Sequence, residues 1–462
     1  MKQIRGQLLR RDFLQLTGKA IVGAVAGAAL PLRAATARER VIVVGAGVSG
    51  LAAAAALTEA GSDVLVIEAR NRLGGRVWTK TDWTDFPVDL GASWIHGIDD
   101  NPIYTLAKSL QTRLVTTSYD SNEIFDTGGI PLDAPQQAHL ARLASRISTA
   151  ITEAQDRDPD RSVRDVARTA LDWSRLSEND KRTTDFLLNS RYEQEYAGSA
   201  ARLSAHWFDD ADSFGGPDVL FPGGYAAITD HLAKNVTVKT GETLRSVRWD
   251  KNGVTLTTNL AEHKADRVLL TLPLGVLKAD TVEFSPGLPF AKRRAIAALG
   301  MGVLNKCYLR FPRVFWPTDA DWLEYIPEQP GRWVEWVNFA KTVGQPVLLG
   351  FNAAEFGREI EAWTDEKISA DAMQTLRKMF GRGIPDPESV LITRWASDPF
   401  SLGSYSYNAV GSLPAMRDEL ARPLARRVFF AGEATNKKHF ATVHGAYLSG
   451  LDAAREILNA GA

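Results

Sequence analysis

Cysteine is almost absent from this chain. There is one, Cys307, in 462 residues. A single thiol cannot build a disulfide framework or a metal site made of cysteines. An excess of charge of either sign is missing too. The 54 Lys and Arg nearly balance the 55 Asp and Glu, for a net charge of −1. No strong overall field therefore favours nucleic acid or an anionic membrane. Past the N-terminal segment there is no apolar run of the roughly 18 or more residues that a membrane span requires. His206, His231, His263, His439 and His444 lack metal-ligand spacing, and no metal is expected. No serine triad and no phosphate-binding loop occurs. What is present is ordinary globular usage, 45% hydrophobic and 24% charged, which excludes wholesale disorder. The length exceeds the roughly 250–300 residues one core supports, so two domains, or one large domain with an insert, are expected. The 12 Trp and 37 Gly suit a pocket for a flat, apolar ligand.

Residues 1–37 read apart from the rest. Lys2, Arg5, Arg10 and Arg11 precede an apolar run over residues 20–32, and the first acid is Asp12. The run is shorter than the ~20 residues of a membrane span. It leads to Ala35-Thr36-Ala37, small residues suited to cleavage. Arg10-Arg11-Asp12-Phe13-Leu14 resembles the twin-arginine export signal. The expectation is a removable leader over residues 1–37, recognised by the twin-arginine export machinery. The mature protein is then expected in the periplasm, without stable membrane insertion.

A nucleotide-binding start follows. Residues 40–44, Arg-Val-Ile-Val-Val, read as a buried parallel strand. Gly45-Ala46-Gly47-Val48-Ser49-Gly50 comes next and opens an alanine-rich helix. Gly45 permits the tight turn, Gly47 lets the backbone approach a pyrophosphate, and Gly50 lets helix pack on strand. The helix N-terminus then faces the phosphates. A second strand over residues 64–67 ends at Glu68, at the spacing of an acid that binds a ribose hydroxyl. Glu68 also disfavours a 2′-phosphate. Next comes Glu68-Ala69-Arg70-Asn71-Arg72-Leu73-Gly74-Gly75-Arg76, whose Arg76 can bring a guanidinium to the pyrophosphate.

This string resembles the mark of the flavin-containing amine oxidase family, which includes monoamine oxidases, polyamine oxidases and lysine-specific demethylases. The resemblance runs from about residue 40 to the C-terminus and is nearest the polyamine oxidase branch. Val88-Asp89-Leu90-Gly91-Ala92-Ser93-Trp94-Ile95-His96-Gly97 is similar to the family segment that passes the flavin ring. Phe221-Pro222-Gly223-Gly224-Tyr225 resembles the return to the flavin domain, and Leu244 lies on the strand that touches adenine in relatives. Gly302-Val303-Leu304-Asn305-Lys306 matches the stretch with the family's active-site lysine. Near the end, Trp395, then Gly432-Glu433, then Thr442-Val443 before a final amphipathic helix, complete the pattern.

The resemblance implies FAD, held by Gly45, Ala46, Gly47, Gly50, Glu68, Arg70, Gly75, Arg76, Gly91, Ala92, Ser93, Leu244, Trp395, Gly432, Glu433, Thr442 and Val443. It implies that Lys306 holds a water against flavin N5, that Tyr405 forms one wall of an aromatic cage, and that His96 contacts substrate. Thr442 stands where monoamine oxidases have the second cage tyrosine, which counts against a small aromatic monoamine. Ser404 stands where they have the cysteine that bonds FAD, so the cofactor is expected to be non-covalent. The implied reaction removes a hydride equivalent from the carbon beside nitrogen, giving an imine that water hydrolyses. Oxygen or a periplasmic cytochrome would take the electrons. The acids Glu193, Glu195, Asp209, Asp210 and Asp212 would attract the ammonium groups of a polyamine. An L-amino acid oxidase and a non-catalytic flavoprotein remain alternatives. The expected fold is α/β: a Rossmann-type FAD-binding domain (residues 38–97, 221–289 and 391–462), like those of glutathione reductase and p-hydroxybenzoate hydroxylase. An α+β substrate domain (98–220 and 290–390) is inserted into it.

Overall fold

The structure is a computed structural model and describes residues 38–461. The export leader read in residues 1–37 lies outside the described residues.

The apolar run Arg40–Val44 is the central strand of a five-stranded parallel sheet. Its order is Val428–Phe430, Arg267–Leu270, Arg40–Val44, Asp63–Ile67, Val238–Lys239. Val41, Ile42 and Val43 are wholly buried because both faces of the sheet are covered. One face packs against the helix Val48–Glu59, whose alanines let it lie close. The final helix, Val443–Gly461, crosses that helix at Gly450, where any Cβ would stand 2.2 Å from the Ser49 carbonyl oxygen. The other face shares a core with a four-stranded sheet, Glu262–Ala265, Gly253–Thr258, Leu244–Asp250 and Glu283–Ser285. This is the doubly covered Rossmann-type arrangement expected for a dinucleotide.

The second body centres on a six-stranded sheet in the order Ser389–Ile392, Leu304–Arg310, Val347–Ala353, Glu335–Asn338, Trp322–Tyr325, Asn122–Phe125. All neighbours are antiparallel except the last pair. Alternation along Leu304–Arg310 sends Cys307 and Leu309 to one face, into a core with Trp336, Leu348 and Leu376. Lys306 and Tyr308 go to the other. The helices Ala134–Gln155, Val163–Ala170 and Glu178–Leu188 build a separate apolar cluster. A π-helical turn, Asn189–Glu193, follows them. Such turns often re-aim side chains at functional sites, and this one directs Ser190 and Arg191 into the cavity described below. Among the described residues, no helix is long and apolar enough to cross a membrane.

Candidate active site

A cavity of about 1640 Å³ runs from the end of the parallel sheet to the six-stranded sheet. That exceeds the roughly 300–1,000 Å³ of a typical ligand pocket, so it has room for a dinucleotide and a substrate together.

The nucleotide end begins at Gly45, whose φ of 104° is a left-handed conformation that favours glycine. Gly47 lines the cavity, and a Cβ added there would meet nothing closer than 4.0 Å, so the backbone is open to a pyrophosphate. Gly47 caps the helix with no side-chain oxygen, leaving the first turn to an anion. Two of the residues read as cofactor contacts do not line the cavity. Gly50 faces inward, where a Cβ would stand 2.0 Å from the Gly45 carbonyl oxygen, so its part is helix-to-strand packing. Ala46 is fully buried and its N–H donates to Glu68 Oε2 at 2.8 Å. Glu68 is buried at the cavity wall, and its Oε1 accepts from Arg70 N at 2.8 Å. Leu244 lines the same end.

In the middle, Arg70 lines the cavity with its guanidinium tied to Asp398 at 2.6 Å and Ser401 at 2.9 Å. Arg76 donates to Glu433 Oε1 at 2.9 Å and to the Ser404 carbonyl at 2.8 Å. Glu433 also accepts from Ser406 Oγ at 2.6 Å and Ala441 N at 3.0 Å. Burial opposes its ionisation, but Arg76, Ser406 and Arg417 outweigh burial and hold the carboxyl below its ordinary range. Gly75 and Gly432 line the cavity beside them. Thr442 Oγ1 accepts from Gly445 N at 2.9 Å, capping the final helix, so its hydroxyl serves the backbone. The first residue of that helix, Val443, faces the cavity.

Lys306 lies where the two halves meet, 5% exposed. Its Nζ donates to the carbonyls of Asp89 at 2.8 Å and Gly91 at 2.6 Å, and to Ser93 Oγ at 2.5 Å. It is thereby tied to the segment Gly91, Ala92 and Ser93, all on the cavity wall. Burial pulls the Lys306 ammonium well below the ordinary lysine range, and Asp89 partly opposes this. Burial in turn pushes the Asp89 carboxyl up, against the bonds it accepts from Thr79 and Tyr225 N. Trp395 lines the cavity and donates from Nε1 to the Leu90 carbonyl at 3.2 Å. Tyr405 also lines it, its hydroxyl donating to the Gln194 carbonyl at 3.1 Å. His96 does so too, with Nδ1 3.0 Å from Asp218 Oδ2.

Of the five acids read as a cation attractor, Glu195, Asp209 and Asp212 reach the cavity. Asp210 does not line it. Neither does Glu193, which is turned into protein and accepts from Asn189 and from Ala200 N. Burial pushes its carboxyl up to about 7. Sequence reading missed Asp120, Asp218, Glu324 and Glu335, all on the cavity wall. It also missed the aromatic group around Trp322, whose ring lies 5.9 Å from Trp94, 6.0 Å from Phe351 and 4.5 Å from Tyr119. A signal was present: Glu324 and Glu335 are acids in short, fully buried strands rich in aromatic and aliphatic residues, WLEY and EWVN.

A family model described as flavin containing amine oxidoreductase matches residues 48–458. The chain belongs to that family. A model for pyridine nucleotide-disulphide oxidoreductases also matches residues 13–82, over the nucleotide-binding start. Polyamine oxidase 4 of Oryza sativa subsp. japonica is 34% identical over 435 residues, covering 90% of this chain and 88% of its own length. Protein FLOWERING LOCUS D of Arabidopsis thaliana is 35% identical over 435 residues, covering 90% of this chain and 55% of its own. Lysine-specific histone demethylase 1 homolog 2 of the same plant is 35% identical, with 91% and 58% covered. The chain thus spans a little over half the length of these last two relatives. A solved structure of a putrescine oxidase double mutant, redesigned in cofactor binding, shares the fold. Its TM-score is 0.73 at 20% identity, over 91% of this chain and 99% of that one.

FAD is the cofactor of this flavin amine oxidoreductase, and the residues fit it. The open approach at Gly47, the uncapped helix start and the Arg76–Glu433 pair supply what a pyrophosphate-bearing ligand needs. Ser404 Oγ is held by the backbone of Leu304, accepting from its N at 2.8 Å and donating to its O at 3.1 Å. Cys307 is buried on the far face of its sheet from Lys306. No thiol therefore reaches the cavity among the described residues. Acid denaturation is expected to release all the flavin into the supernatant. Flavin absorbance left with the precipitated chain would contradict non-covalent binding.

Proposed function

We propose that this protein oxidises the C–N bond of an aliphatic amine, with a polyamine favoured. The observation that carries the reading is the continuity of one cavity. Its flavin cradle opens, past buried Lys306, onto Trp94, Trp322, Phe351 and Tyr405 and onto the carboxylates of Asp120, Glu195, Asp218, Glu324 and Glu335. Bound FAD supplies the acceptor for the hydride leaving the carbon beside nitrogen, at N5 of its ring. The chain's own residues do the rest. Carboxylates draw in a polycation. The aromatic wall binds its alkyl stretches and cations and removes water from the reacting amine. That desolvation favours the neutral amine, whose lone pair assists C–H cleavage. Lys306 Nζ, shifted by burial, can hold or release a proton beside the reacting carbon. The resulting imine takes up water to give an aldehyde or ketone and an amine. With oxygen as acceptor, hydrogen peroxide forms. A periplasmic cytochrome is the other acceptor, in keeping with the leader read in residues 1–37.

A second reading has one observation in its favour. Arg191 lines the cavity and offers a partner for the carboxylate of an amino acid. The five carboxylates around the substrate space favour a cation instead. The test is product formation from putrescine, spermidine, spermine and a set of L-amino acids, in air and with cytochrome c. Carbonyl product from the polyamines is expected. Turnover of amino acids alone would replace the reading with the second one.

A further inference from the structure

A buried acid stands at the nucleotide end of the cavity, with no part in the chemistry at Lys306. Glu242 lies between the strands Val238–Lys239 and Leu244–Asp250, and its N–H donates to the Glu68 carbonyl at 2.9 Å. It is 4% exposed, yet it forms part of the cavity wall with Glu68 and Leu244. One of its carboxylate oxygens is fixed. Oε1 accepts from Thr258 Oγ1 at 2.7 Å and from His263 Nε2 at 2.5 Å. The Thr258 hydroxyl is itself set by the turn that follows it, accepting from Ala261 N at 3.0 Å. His263 is buried too, on the strand Glu262–Ala265. Among the described residues, Oε2 takes no hydrogen bond. Burial opposes ionisation of Glu242, but the bonds from His263 and Thr258 outweigh it and hold the carboxyl below its ordinary range. A buried carboxylate oxygen without a donor is costly, and the ligand that fills the cavity can supply one.

We propose that Glu242 reads the base of the bound dinucleotide, its Oε2 accepting from the exocyclic amino group of adenine. In a Rossmann-type site the acid at the end of the second strand takes the ribose, so the base lies beyond it. Glu68 is that acid, and Glu242 is its hydrogen-bonded neighbour. Adenine presents an amino donor where hypoxanthine, like guanine, presents a carbonyl oxygen. The carboxylate attracts the first and repels the second. His263 and Thr258 are positioning residues, which hold Oε1 and so fix where Oε2 stands. This selection acts on the cofactor alone, whatever substrate the flavin oxidises.

The test is exchange of the bound cofactor. Purified holoprotein is held with equal amounts of FAD and its hypoxanthine analogue, both in excess, until the bound composition is constant. Acid then releases the flavins, and chromatography gives their ratio. The unaltered protein is expected to favour FAD by on the order of tenfold or more. In Glu242→Ala the preference is expected to fall to about threefold or less. In Glu242→Gln the two donors at Oε1 demand the amide oxygen there, so the amide N–H₂ takes the place of Oε2. That variant should lose the preference for adenine or reverse it, and it decides the matter if Glu242→Ala does not accumulate. A merely structural pair would weaken both dinucleotides alike and leave the ratio where it was. An unchanged ratio in either variant, or no preference in the unaltered protein, would overturn the assignment. None of these outcomes depends on whether an amine reduces the flavin.

Discussion

Lys306→Met is expected to slow turnover by on the order of 10²-fold or more while FAD stays bound. The ammonium is fixed by Asp89, Gly91 and Ser93, and its stem passes Trp94 and Phe351, with Nζ 5.8 and 6.0 Å from their ring centres. Methionine keeps most of that volume, so packing changes little while the donor disappears. Burial disfavours the charged lysine, so in the unaltered protein Lys306 loses its proton at a lower pH than an exposed lysine does. The variant should therefore lose one ionisation from the pH profile of flavin reoxidation as well as rate. Stopped-flow reduction and reoxidation, followed across pH, separate the two half-reactions. An unchanged turnover and profile would remove Lys306 from the chemistry.

Glu433→Ala should yield a protein largely free of flavin. Glu433 is the hub that receives Arg76, Ser406 and Ala441 N. Arg417, itself fully buried, donates to the same Ser406 hydroxyl at 2.8 Å and so leans on the hub. Glu433 is the buried member of the pair, and without it Arg76, Ser406 and the Ala441 N–H lose the acceptor that holds them in place. The fully buried Arg417 loses its nearest counter-charge, and the loop that carries Gly432 and Ala441 at the cavity wall loses its anchor. Glu433→Gln keeps an acceptor for Arg76 and should retain more FAD than Glu433→Ala. The ratio of flavin to protein absorbance after purification, with FAD titration of any apoprotein, measures this. Full flavin content in Glu433→Ala would contradict the assignment.

The nucleotide half was legible because its signals are local. A strand, a glycine turn and a helix follow within residues 40–59, and each glycine answers a backbone demand. Even there a motif position is not always a ligand contact. Gly50 serves packing, and Ala46 donates its N–H to Glu68. The substrate half was less legible because strand pairing, not sequence proximity, assembles it. Acids clustered in residues 193–212 drew attention because they are neighbours along the chain, yet Glu193 turns into protein. Glu324 and Glu335 meet Lys306 only through the register of four strands. Alternation within one strand fixes a residue's face but not which strand lies beside it. Thr442 was legible as a departure from tyrosine, and the structure adds that its hydroxyl caps the last helix.

The central claim is that one cavity brings an aliphatic polyamine to the flavin past Lys306. Its most direct test is the flavin spectrum of the purified protein, mixed with spermidine, spermine and putrescine without oxygen. The account predicts that flavin absorbance is bleached by at least one of them and returns when oxygen or cytochrome c is admitted. Absorbance unchanged by all three would contradict it.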